Sequence, residues 1–195
     1  MRVLLLGATG VIGVRLLPHL REAKHEVLAV TRSQSAEEGL RRLAAEPLIA
    51  DVYDRPRLVA AAARARPDVV VSQLTDLPDD AGLIPERLSA NVRMRREGTD
   101  NLLAAFRDSG ADRLLVQSVA WELPGEAGAS VAEMEKAVLD SGGTVLRYGQ
   151  FYGPDTYHPS EPPDHPRIHI DDAAARTVAH LEADPGIVEL VEPSA

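Results

Sequence analysis

The sequence predicts a doubly wound α/β fold, a parallel sheet covered by helices on both faces, and three observations carry that prediction. Short apolar runs alternate with segments of helical period, the runs are apolar on both sides as strands buried on two faces are, and 195 residues suffice for one such domain with a real core. In order, the strands are RVLLLG, EVLAV, PLIA, DVVVSQL, RLLVQSV and TVLRYG, and the helices between them include VIGVRLLPHLREA, AEEGLRRLAA and RPRLVAAAARA. The stretch from about Arg87 to Ser109 reads as one long helix ended by Gly110, a natural C-terminal cap. Its arginines at 93, 95 and 96 form either a solvated face or a patch for a substrate or partner.

Beyond the sixth strand the pattern changes. Prolines at 154, 159, 162, 163 and 166 exclude a regular helix or central strand, so residues 153–167 form a surface loop. After it RIHI reads as a short strand, DDAAARTVAHLEA as a helix capped by Asp171 or Asp172, and GIVELV as a last strand. The whole chain, 1–195, is expected to be a single domain.

Composition narrows the function classes. A net charge of -9 argues against nucleic acid as a partner, because binding phosphates requires a basic surface. No window approaches the roughly 18 uncharged apolar residues of a membrane helix. The N-terminal apolar run is broken by glycine as in a buried strand, so no membrane partner and a cytoplasmic location are expected. Zero cysteines remove disulfides and thiolate chemistry. The histidines at 158, 165 and 169 are irregularly spaced around the proline-rich loop and give no metal site.

The opening stretch MRVLLLGATGVIG carries the chemistry. Gly7 ends the first strand in a tight turn, Gly10 lets backbone N–H groups approach a pyrophosphate, and Gly13 lets the helix pack close to the sheet. Strand, glycines and helix together point to a Rossmann-like dinucleotide site, with Thr9, Val11 and Ile12 completing the loop; a purely structural turn is the alternative. An NAD site places an acid at the end of the second strand, whereas here Thr31-Arg32-Ser33 stands there, and an arginine suits a 2′-phosphate. NADP is therefore expected, with NAD as the alternative. Asp51 after the third strand is placed to bond the adenine amino group or to cap the next helix. Val52, Leu74 after the fourth strand and Gly149 after the sixth are the further cofactor candidates.

GATGVIG, VTRS, ADVYD, NVRMRREGTDNLLAAFRDSGADRLLVQSV, VLRYGQFYGP and HIDDAAART together cover nearly the whole chain and resemble the extended and atypical branch of the short-chain dehydrogenase/reductase superfamily, which includes NAD-dependent epimerase/dehydratases. The resemblance implies that Ser118, ending the fifth strand, polarises the substrate, and that the loop from Tyr148 to Phe151 lies beside the nicotinamide. It also implies a tyrosine with a lysine four residues later as the proton relay, and here that pair is missing. The two lysines are Lys24 and Lys136, and the matching positions fall near Ala127 and Val131. A phenol near pKa 10 is a poor base at neutral pH without such a cation. Tyr148 and Tyr152 are the candidates to replace it, with packing at the strand end as their alternative role; Tyr157 and His158 also lie just after the sixth strand. The C-terminal substrate region is trimmed relative to the family.

Two functions follow. One is an NAD(P)-dependent oxidoreductase or epimerase/dehydratase-like enzyme acting on a small carbonyl or hydroxyl substrate. The other is an NADP(H)-binding regulator or auxiliary protein without redox catalysis. A homodimer through the long helix, on the stripe Leu102, Leu103 and Phe106, is expected from the same resemblance.

Overall fold

The computed structural model describes residues 1–194. Strands β1 (Arg2–Leu6), β2 (Glu26–Thr31), β3 (Ala45–Ile49), β4 (Val69–Ser72), β5 (Arg113–Val119), β6 (Thr144–Tyr148) and β9 (Gly186–Leu190) form one sheet in the order β3-β2-β1-β4-β5-β6-β9. All its pairings are parallel. The two short strands β7 (Gln150–Tyr152) and β8 (Arg167–His169) pair beside it. The order reverses between β1 and β4, the place where ligands bind in open α/β sheets.

Parallel strands need crossover helices, and these divide between two faces. Helices α1 (Gly13–Glu22) and α7 (Ile170–Ala179) pack against each other on one face. There Val3, Leu5, Val69, Val71 and Leu115 meet Leu16, Leu17, Ala173 and Ala174. Helices α3 (Arg55–Ala65), α5 (Thr99–Ser109) and α6 (Gly125–Asp140) cover the other, where Leu4, Leu6, Val70 and Leu114 meet Leu58, Leu102 and Val138. Alternate residues of each strand serve opposite cores, which is why the runs are apolar throughout.

The long helix is interrupted. It begins as α4 (Leu88–Arg93), passes through a π-helical segment at Met94–Gly98, and continues as α5 to the αL cap Gly110. The extra residue of a π segment rotates the side chains that follow, so the arginines do not share one face. Leu102 and Leu103 are 2% and 5% exposed and pack into their own core, with Phe106 against its edge. The expected dimer stripe is thus consumed within the chain.

Other local expectations are corrected. Helix α2 is shorter than its pattern, Glu37–Arg42, because Ala45 already belongs to β3. The cap of α7 is His169, whose Nδ1 accepts from the Asp171 amide, and both aspartates sit in the first turn. Strand β7 forms where the sequence pattern predicts only the start of a loop. The proline-rich loop is held at two points: Arg15 of α1 donates to the Pro154 carbonyl at 2.7 Å and pairs with Asp155 at 2.9 Å, and the Tyr157 hydroxyl donates to the Pro78 carbonyl.

Candidate active site and cofactor groove

At the switch point a groove of about 260 Å³ opens at the carboxyl ends of β1 to β4. Gly7, Thr9 and Gly10 form its floor, Arg32 and Asp51 stand at the ends of β2 and β3, and Val52 and Leu74 line the wall. Gly7 has φ +81°, and a Cβ there would lie 2.8 Å from the Gln73 backbone. A Cβ at Gly13 would lie 2.0 Å from the Gly7 carbonyl, so this glycine exists to seat α1 on the loop. At Gly10 the nearest atom is that same carbonyl at 3.4 Å. The protein leaves the space above Gly10 free, and a side chain would fill it. Among the described residues the Val11 and Ile12 amides give no hydrogen bond to the protein, so the N-terminus of α1 presents free donors. Free space and donors together suit a pyrophosphate.

Arg32 is exposed and, among the described residues, has no ion pair or side-chain hydrogen bond. Asp51 uses Oδ1 to accept from the Tyr53 amide at 2.9 Å, while Asp54, not Asp51, caps α3 by accepting from the Arg57 amide. Tyr53 and Met94 also line the groove, and neither stood out in the sequence. The Arg93 guanidinium lies 4.0 Å above the Tyr53 ring, and burial raises the Tyr53 pKa. A polar-aromatic residue after an acid at a strand end was the one signal for Tyr53; Met94 depends on the π segment and left none.

Val11, Ile12, Gly13 and Gly149 do not face this groove through side chains. Ile12 is 3% exposed and fills the core beside Leu16. A Cβ at Gly149 would lie 2.6 Å from the Arg167 backbone, so that glycine permits β8 to approach.

The three catalytic candidates are each engaged elsewhere. Ser118 is 4% exposed, and its Oγ–H donates to Glu135 Oε1 of α6 at 2.5 Å. Glu135 also accepts from Arg147 Nε at 2.9 Å and Nη2 at 2.6 Å. Burial would raise the Glu135 pKa, but the bonds from Arg147 and Ser118 outweigh it and hold the carboxyl below its ordinary range. With its proton given to Glu135, Ser118 has only lone pairs to offer. Tyr148 is 1% exposed and accepts from Gln73 Nε2 at 3.0 Å. Its hydroxyl meets Thr177 Oγ1 at 2.7 Å, and because Thr177 donates to the Ala173 carbonyl, the tyrosine is the donor in that pair. Burial pushes its pKa well above 10. Tyr152 donates to Glu192 at 2.5 Å and stacks edge-on with His169, a cluster that ties β7 and β8 to the chain after β9. Neither tyrosine lines this groove, and both hydroxyls are bonded within the protein. Their side chains satisfy the core and the small sheet.

A wider depression between α3 and α5, lined by Arg55, Val59 and Arg107, contains none of these residues.

The chain belongs to the NAD dependent epimerase/dehydratase family, whose sequence model matches residues 3–133. It is thus an NAD(P)-dependent enzyme of oxidoreductase or epimerase-like type, with a nicotinamide cofactor. A relative from Streptomyces sp, 3-diazoavenalumate denitrifying reductase, is 35% identical, the match covering 94% of this chain and 73% of the relative. In fold the chain is similar to the Thermus thermophilus UDP-glucose 4-epimerase complex with NAD, at TM-score 0.80 and 20% identity over 100% of this chain and 78% of that one. It is also similar to Bordetella bronchiseptica WbmH in complex with NAD⁺, at TM-score 0.77 and 15% identity over 99% and 76%. Among the described residues no helix is long and apolar enough to cross a membrane.

Proposed function

We propose that this enzyme is an NADPH-preferring reductase whose substrate accepts a hydride without needing an oxygen protonated. The observation that carries the reading is the state of the proton donors: Ala127 and Val131 stand where the family's tyrosine and lysine are expected, and Tyr148 and Tyr152 are spent on Thr177 and Glu192. A carbonyl reduction needs a proton on oxygen, and a positioned acid contributes about 10²- to 10⁴-fold to such steps. A carbon bearing a diazonium group does not. Its C–N bond breaks with the bonding pair leaving in N₂, a C–H bond forms in its place, and the reduced nicotinamide is oxidised in equal amount. The denitrifying reductase relative, named for a diazo substrate, supports this class.

In this reading Gly10 and the N-terminus of α1 hold the pyrophosphate, and Arg32 meets the 2′-phosphate. Bound nicotinamide supplies the hydride. The Ser118–Glu135–Arg147 chain then locks α6 to the ends of β5 and β6, which fixes the wall of the site.

The test is NADPH oxidation with benzenediazonium-4-carboxylate against 4-formylbenzoate, each corrected for the reaction without protein. The reading predicts protein-dependent release of N₂ and benzoate from the first and no turnover of the second. Turnover of the aldehyde at a similar rate would refute it. Tight NADPH binding with neither substrate consumed would favour the regulator.

A further inference from the structure

Three arginines follow Val92, and the structure treats them differently. Arg93 donates to Glu97 at 2.6 and 3.1 Å, and Arg96 pairs with Glu126 at 3.0 Å and Glu133 at 2.6 Å. Both are surface pairs. Arg95 is half-buried between the π segment and α6, where Nη1 donates to the Ala127 carbonyl at 3.2 Å and to Ser130 Oγ at 3.4 Å. Among the described residues no carboxylate lies within ion-pair reach of it. Burial lowers its pKa, and no neighbouring charge opposes the effect.

A guanidinium has five N–H donors, and here one nitrogen is used. Nε and Nη2 make no hydrogen bond within the described protein and keep solvent contact, so both are open to an anion. The position is also informative, since Met94, the preceding residue, lines the cofactor groove, and Ala127 stands where the family's tyrosine is expected. Arg95 therefore touches the backbone of the helical turn that carries that position. It lies on a π segment, a feature frequent at functional sites.

We propose that Arg95 receives the carboxylate of the substrate, so that the enzyme selects small organic carboxylic acids. This rests on the reductase reading, because it places the reacting end of the substrate at the mouth of the groove. The guanidinium fork matches a carboxylate in two parallel hydrogen bonds, which fixes orientation as well as charge.

The test uses binding, not turnover. The NADP⁺-saturated protein is titrated with cinnamate and with methyl cinnamate, in wild type, Arg95→Met and Arg95→Lys, with melting curves to confirm that each is folded. The expected result is an affinity for cinnamate about tenfold or more above that for the ester, a difference erased in Arg95→Met and partly restored in Arg95→Lys, with NADP⁺ affinity unchanged. The proposal is overturned if acid and ester behave alike with wild type, binding or not, or if Arg95→Met keeps the preference. A fall in NADP⁺ affinity of Arg95→Met would also overturn it, assigning the arginine to the cofactor. Because no turnover is read, failure of the diazonium assay leaves this result separately legible.

Discussion

Replacing Arg147 by methionine isolates the strongest polar contact near the site. Methionine keeps most of the aliphatic stem and removes both bonds to Glu135, whose side chain is 8% exposed against 33% for Arg147. Removing one member of a buried pair costs about 3–5 kcal/mol, and the third of Arg147 that solvent reaches reduces this to about 2–3 kcal/mol. For a domain of this size that is a fall in Tm of about 5–10 °C. The cost should depend on pH. In wild type the Glu135 carboxyl is held below its ordinary value of 4.5, so its stabilising contribution is complete above that value and is lost as pH falls through the lower folded value. Without Arg147, burial dominates and raises the carboxyl, so the variant is penalised at neutral pH and relieved as the carboxyl takes up its proton. Urea unfolding of both proteins at neutral pH and near about pH 4.5 measures the difference. It should shrink on acidification. A cost below about 1 kcal/mol, or one independent of pH, would refute the electrostatic account of this network.

Four further substitutions separate binding from folding. Gly10→Val should abolish nucleotide binding and leave Tm near wild type, whereas Gly13→Ala, whose Cβ would lie 2.0 Å from the Gly7 carbonyl, should lower Tm; calorimetry and cofactor titration on the same samples distinguish them. Arg32→Ala should weaken NADPH by about ten- to hundredfold and NADH little, as read by titration of both. Tyr148→Phe strands Gln73 Nε2 and one side of Thr177, so unfolding should show a loss of about 1–3 kcal/mol with the reductase rate retained; a rate loss at full stability would restore Tyr148 as a catalytic residue.

The sheet was legible because strand apolarity and helical period are local properties, and the glycine loop because its spacing between a strand and a helix is itself a local pattern. Gly7 and Gly13 are required by backbone contacts made by the loop itself and by Gln73. What could not be read depended on distant partners. Ser118, Tyr148 and Tyr152 stand at strand ends, where ligands bind, yet each is taken by a residue 17, 29 or 40 positions away. The arginines at 93, 95 and 96 look alike as a charge run, and only the π segment and the packing of α6 turn one of them inward. His169 as a cap and β7 as a partner of β8 are likewise products of how the chain returns after the proline-rich loop.

The central claim, hydride delivery to carbon without a protein proton donor, is tested most directly by following the label. With NADPH carrying two deuterium atoms at nicotinamide C4 and benzenediazonium-4-carboxylate as substrate in ordinary water, the account predicts benzoate deuterated at the carbon that bore nitrogen, in amounts matching the NADPH consumed. Benzoate carrying only solvent hydrogen at that carbon, or formation at the rate seen without protein, would contradict it.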